Sequence, residues 1–168
     1  MAKNIVLIGL MGSGKTTIGK ALADRTGREF ADTDELIVEK DSRPIKQIFA
    51  ENGEEFFRNL ETKVIEEVSK QENFVISTGG GAVLRDENID FLKENGVLFY
   101  LYAPAEVIWE RVKDDKDRPL LNVDAPIELL KRLQQEREPF YGKADFKINT
   151  HEHSIEEIVD KIIELFDS

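Results

Sequence analysis

Cysteine is missing from all 168 residues, so neither a disulfide nor a thiolate metal site can form. Long apolar runs are missing too. None approaches the roughly 20 residues that a membrane helix needs, and the apolar stretch near the start lacks the pattern of a secretion signal. No membrane association and a cytoplasmic location are therefore expected. Basic charge is in deficit: 23 Lys and Arg against 34 Asp and Glu leave a formal charge of −11. That balance argues against nucleic acid as a partner, which needs a broad basic surface. It also sets a mildly repulsive far field for any anionic ligand, so attraction must be supplied locally. Histidine occurs only twice, as His151 and His153, and tryptophan once, as Trp109, which reads as packing.

With 40% hydrophobic residues, the composition is that of an ordinary globular chain, and its length suits one domain over 1–168. Strand and helix patterns alternate. Ile5–Ile8, Glu29–Ala31, Phe74–Ser77, Val97–Tyr102 and Phe146–Asn149 read as strands. Helical spacing covers Thr16–Arg25, Asp34–Lys40, Pro44–Ala50, Glu54–Lys70, Asn88–Glu94, Pro104–Val112, Pro126–Tyr141 and Ser154–Phe166. Ser154 and Glu157 form a Ser-x-x-Glu capping box at the last of these. Strands apolar on both faces imply a parallel α/β sheet covered by helices on each side. Lys113–Asp124 is charged, framed by turn formers, and expected to be mobile.

Chemistry enters at Gly9–Thr16, Gly-Leu-Met-Gly-Ser-Gly-Lys-Thr, the phosphate-loop pattern behind an apolar strand. Glycines let backbone N–H groups turn inward around an anion, and the following helix N-terminus adds its dipole. Gly12, Ser13, Gly14 and Thr17 fall in this cradle. Lys15 can reach the β- and γ-phosphates, and the Thr16 hydroxyl is placed for Mg²⁺. A nucleoside triphosphate is the implied ligand.

No Asn-Lys-x-Asp follows, which excludes a guanine-reading GTPase, and Asp24–Gly27 lies too near the loop to be a switch. The strand Phe74–Ser77 ends in Thr78 and three glycines, unlike the acidic strand end of motor and transporter ATPases. A small-metabolite kinase fits the size. Asp32 and Asp34 close the second strand, where residues two apart share a face and ligands gather at strand ends. Helix capping by Thr33 or Asp34 is the plainer reading and is compatible with catalysis. Three glycines at 79–81 suit a close approach of backbone or ligand.

Taken together, the chain resembles the shikimate kinases, phosphate-loop enzymes of aromatic amino-acid biosynthesis. The resemblance rests on Gly9–Thr16, Asp32-Thr33-Asp34, Phe-Phe-Arg-x-x-Glu at 56–61, Thr-Gly-Gly-Gly at 78–81, Arg-Pro-Leu-Leu at 118–121 and Arg-x-Pro-x-Tyr at 137–141. It implies a three-layer fold of nucleoside monophosphate kinase type: a five-stranded parallel sheet, a substrate-binding insertion at about 33–61 and a lid at about 113–124. It implies transfer of the ATP γ-phosphoryl group to the 3-hydroxyl of shikimate, with Mg²⁺ as cofactor and a monomer as the working unit.

The same resemblance assigns Arg58 and Arg137 to the shikimate carboxylate, Asp34 to its hydroxyls, and backbone amides of Gly79, Gly80 and Gly81 to the same pocket. Ile45, Phe49, Phe57 and Pro119-Leu120 would line it, and Glu61 would orient Arg58. Asp32 would hold Mg²⁺ through water, Arg118 would meet the nucleotide phosphates, and Arg111 and His153 would border the adenine. By themselves Arg58 and Arg137 also read as a helix ion pair with Glu61 and a solvated helix charge. Asp34, Lys15 and Arg118 are the expected catalytic set, Asp34 chiefly aligning the hydroxyl, since an aspartate is a weak base near pKa 3.9. Kinases of gluconate or a nucleoside monophosphate, and a nucleotide-binding module without turnover, are the alternatives.

Overall fold

A computed structural model describes residues 3–115 and 123–168. Arg118, Pro119 and Leu120, with most of the expected lid, lie outside the described residues. Five parallel strands form one sheet in the order β2-β3-β1-β4-β5. They are β1 (Asn4–Ile8), β2 (Glu29–Asp32), β3 (Phe74–Ser77), β4 (Gly96–Tyr102) and β5 (Phe146–Asn149). Seven helices complete the described chain: α1 (Lys15–Thr26), α2 (Thr33–Asp41), α3 (Ile45–Ser69), α4 (Asp86–Glu94), α5 (Ala105–Val112), α6 (Pro126–Tyr141) and α7 (Ile155–Asp167).

The central strand explains the layering. Ile5, Val6, Leu7 and Ile8 all have 0% exposure, because β1 is covered on both faces. Ile5 and Leu7 pack with Leu22 of α1 and Ile158 and Ile162 of α7. Val6 and Ile8 pack on the opposite face with Ile65 of α3 and Leu92 of α4. Each such side chain contributes about 1.5–3 kcal/mol of burial. The register then lines up the functional strand ends, since Asp32 pairs with Ser77 and Ser77 with Leu7. The segments that follow these three positions leave the same edge of the sheet side by side.

Two local features depart from the sequence pattern. The pieces expected at Pro44–Ala50 and Glu54–Lys70 join into α3, interrupted only at Gly53, whose φ of 84° and ψ of 176° are not helical. A short 3₁₀ turn, Ala82–Leu84, follows the glycines and precedes α4. Elsewhere strand and helix bounds agree to within a residue or two. Ser154 caps α7 by accepting from the Glu157 amide at 3.2 Å.

Candidate active site

The phosphate loop occupies the turn from β1 into α1. Gly12 and Gly14 adopt φ of 73° and 99°, a region that side chains avoid. A Cβ at Gly12 would stand 2.7 Å from Val112 Cγ1, so the loop is seated directly on α5. Lys15 is buried, and its Nζ donates to the carbonyls of Gly9 (2.6 Å) and Leu10 (2.9 Å). Its charge is thus held across the mouth of the loop. Thr16 Oγ1 lies 3.3 Å from Asp32 Oδ2, bringing a hydroxyl and a carboxylate oxygen together beside the loop.

Asp32 is also the N-cap of α2: its Oδ1 accepts from the amides of Asp34 (2.9 Å) and Glu35 (3.3 Å). This corrects the expectation that Thr33 or Asp34 would cap the helix. It also means that Asp34 stands in the first helical turn and does not share a strand face with Asp32. The reason is local. A carboxylate at the last extended position reaches the otherwise unpaired first-turn amides better than one inside the helix. Thr33, fully buried, turns its hydroxyl to accept from the Gly79 amide at 3.1 Å.

Around the three glycines a second pocket is built. A Cβ at Gly79 would meet Asp34 Oδ1 at 2.7 Å and Glu61 Oε2 at 3.2 Å; one at Gly80 would meet Arg137 Nη1 at 3.2 Å; one at Gly81 would meet Arg58 Nη1 at 2.7 Å. A side chain at 79 or 81 would press on a charged group, and glycine leaves that space to Asp34 and Arg58. Arg58 Nη1 donates at 2.8 Å to Oε1 of the Glu61 carboxylate, which is 1% exposed, and the guanidinium lies over the Phe57 ring. Glu61 Oε2 makes no hydrogen bond among the described residues, and Arg58 Nε, also without one, stands 3.5 Å from Glu54 Oε1. Phe57 stacks obliquely on Phe49, with centroids 4.6 Å apart.

Electrostatics follow from this crowding. The Asp34 carboxyl is pushed up to about 6, first by burial, then by the neighbouring Asp32 and Glu61 charges, with Lys15 and Arg58 opposing. Burial likewise raises Glu61 despite the adjoining Arg58. Asp34 is therefore a better-matched proton acceptor than an unperturbed aspartate.

A cleft of about 410 Å³ joins Gly14, Lys15, Thr16, Asp32, Asp34 and Gly80. A smaller hollow of about 250 Å³ lies beside the start of α1, lined by Thr17, Arg111, His153 and Ile155 among others. Arg111 is fixed there by donating to the Gly12 carbonyl (3.2 Å) and Thr150 Oγ1 (3.3 Å). The cleft and the hollow adjoin, sharing Gly14, Thr17 and Arg111, and the cleft is also lined by Gly79 and Gly80. Of the expected site residues, Gly12, Gly14, Lys15, Thr16, Thr17, Asp32, Asp34, Gly79, Gly80 and Arg111 line the cleft, Ser13 and His153 line the hollow, and Arg58 and Arg137 lie against Gly81 and Gly80.

Residue patterns alone missed Thr33 and Tyr141. Tyr141 donates its hydroxyl to the Gly80 carbonyl at 2.7 Å, from 61 residues away in sequence. The available signal was its helical spacing, four residues after Arg137 and hence on the same face.

A parallel sheet whose central strand delivers a phosphate loop, with a cationic pocket at the adjoining strand end, defines the class of small-molecule phosphate-loop kinases. Comparisons with known proteins agree. The family model described as "Shikimate kinase" matches residues 11–167. A shikimate kinase of Caldicellulosiruptor bescii is 52% identical over 97% of this chain and 95% of its own, and one of Thermodesulfovibrio yellowstonii is 47% identical over 98% and 95%. The solved shikimate kinase of Acinetobacter baumannii in complex with shikimate superposes with a TM-score of 0.93 at 41% identity, covering 99% of this chain and 93% of the other. The chain belongs to the shikimate kinase family.

Proposed function

We propose that the chain moves the γ-phosphoryl group of ATP to the 3-hydroxyl of shikimate, yielding shikimate 3-phosphate and ADP. One observation carries the assignment of the acceptor pocket. Two guanidinium groups lie against the glycine turn, Arg137 at Gly80 and Arg58 at Gly81, with the Asp34 carboxylate at the adjoining Gly79. Paired planar cations suit a carboxylate, and the facing aspartate suits hydroxyls, which together describe an acid that is also an alcohol.

Phosphoryl transfer passes through a loose transition state, so alignment and charge neutralisation dominate. Arg58 and Arg137 hold the acceptor's carboxylate end. Asp34 aligns the attacking hydroxyl and takes its proton as the new P–O bond forms. Lys15 neutralises charge on the transferring phosphoryl oxygens, and the loop amides bind the remaining phosphates. The adjacent Thr16 hydroxyl and Asp32 carboxylate fit Mg²⁺, a hard cation that takes oxygen ligands and retains several waters. Held by the Thr16 hydroxyl and, through water, by Asp32, Mg²⁺ would supply positive charge against the developing charge of the phosphates. Arg111 with His153 and Ile155 would border the adenine, and the enzyme would act as a monomer at 1–168. Arg118 is assigned to the nucleotide phosphates on family resemblance alone.

A coupled ADP-release assay with shikimate, gluconate and nucleoside monophosphates tests the reading. Turnover is expected with shikimate, and an absence of turnover there alongside turnover of another acceptor would reject it. Arg58→Ala should weaken shikimate binding by about 2–5 kcal/mol, as expected when one partner of a desolvated charge pair is removed.

A further inference from the structure

Tyr141 closes a set of contacts that the reaction scheme above does not use. Its ring is fully buried and stacks on Tyr100 of β4, with centroids 4.7 Å apart and planes 19° from parallel. Tyr100 in turn donates its hydroxyl to Glu138 Oε2 of α6 at 3.0 Å. Ring position is therefore fixed from the sheet side, leaving the Tyr141 hydroxyl one partner in the glycine turn, the Gly80 carbonyl at 2.7 Å.

That bond constrains more than one atom. The Gly80 carbonyl and the Gly81 amide belong to one planar peptide unit, and in a trans peptide they point in opposite directions. None of the peptide bonds among the described residues is cis. Holding the carbonyl toward Tyr141 thus directs the Gly81 N–H away from it. Between two glycines a peptide plane rotates at little steric cost, so without an outside anchor its direction would be poorly defined. Gly79 cannot supply that anchor's function, because its own amide is already engaged with Thr33 Oγ1.

The same bond sets the end of α6. Arg137 lies one helical turn before Tyr141, and its Nη1 falls at the face of Gly80. Tethering position 141 to the Gly80 carbonyl fixes how far and at what rotation α6 presents Arg137 to the glycine turn.

We infer that Tyr141 is a positioning residue for the acceptor site, its hydroxyl orienting the Gly80–Gly81 peptide and Arg137 together as one preformed binding surface for the acceptor's carboxylate. This rests on the acceptor-site reading above, and its test must separate the two. Tyr141→Phe removes the hydroxyl while keeping the stacked ring. Loss of one neutral hydrogen bond of positioning value should raise the shikimate Kd and KM about three- to tenfold, with ATP KM unchanged. A merely structural role would lower the melting temperature and leave the shikimate constants alone.

The full cycle is Tyr141→Phe, Arg137→Ala and the double variant, titrated calorimetrically with shikimate. If Tyr141 acts through Arg137 and its adjoining peptide, the double variant should bind less weakly than the product of the two single effects. Strict additivity, or a Tyr141→Phe Kd equal to wild type while Arg137→Ala is impaired, would overturn the positioning role but leave the acceptor site intact. Unchanged affinity in Arg137→Ala would instead reject the acceptor-site reading itself. Tyr141→Trp, which keeps an aromatic stack but cannot place a donor at the same atom, gives a second variant should Tyr141→Phe fold poorly. It is expected to show the same selective loss of shikimate affinity, and wild-type affinity in it would count against the proposal.

Discussion

A single carboxyl group ties catalysis to stability in this molecule. Asp34 is raised to about 6 from an ordinary 3.8, first by burial and then by the neighbouring Asp32 and Glu61 charges. Between those two values the folded state binds more protons than the unfolded one. Stability from this group is therefore lost as pH rises through that window and stays lost above it. Asp34→Asn should melt higher than wild type at pH 8, with the advantage shrinking toward pH 4, while phosphoryl transfer falls sharply. Parallel melts and turnover at both pH values measure this, and a lower melting temperature of the variant at pH 8 would contradict the assigned crowding. In the wild type, kcat/KM for shikimate should fall on an acid limb centred near 6, the value set by the free enzyme's Asp34.

At the scale of elements, α3 shows what local pattern can and cannot reveal. The sequence pattern predicted two helical pieces, Pro44–Ala50 and Glu54–Lys70, and Gly53, which falls between them, is where helical geometry breaks. No neighbour lies within 4 Å of a Cβ built there, so only its positive φ demands glycine. Gly53→Ala should therefore destabilise by about 1–2 kcal/mol through backbone strain alone. A denaturant titration with unchanged m-value and a lowered midpoint is the expected result. The strands were equally legible, since β1 and β4 are apolar on both faces and short. Asp32's capping role was not, because choosing among three adjacent polar side chains requires knowing where the strand ends. Thr33 to Gly79 and Tyr141 to Gly80 stayed hidden for a different reason. These bonds join positions 46 and 61 residues apart, and no spacing rule within one helix or strand reaches that far. The phosphate loop, Asp34 and the glycine turn were visible because each has a local pattern with a physical need behind it. Arg58 and Arg137 became candidates only through family resemblance, as charged helical positions are abundant.

Across the whole molecule, the charge of −11 opposes the approach of two anionic substrates, while buried Lys15 and half-buried Arg58 and Arg137 draw them in at short range. The two effects respond differently to salt. Raising ionic strength from about 0.01 to about 0.1 M shortens the screening length from about 30 to about 10 Å, which damps the distant repulsion before the local pairing. kcat/KM for shikimate should accordingly rise over that range and decline at higher salt. A steady fall from the lowest salt would show that local attraction governs encounter throughout. The sheet order has a further consequence. Because β1 and β3 are neighbours, the bed for the donor and the bed for the acceptor adjoin across one inter-strand step of about 4.8 Å. On the reading proposed above, the groups that would grip the acceptor sit on α2, α3, α6 and the turn after β3, whereas the phosphates would be served mainly by the turn from β1 into α1. An altered appetite for acceptors is thus reachable by re-tailoring the outer segments around an untouched centre.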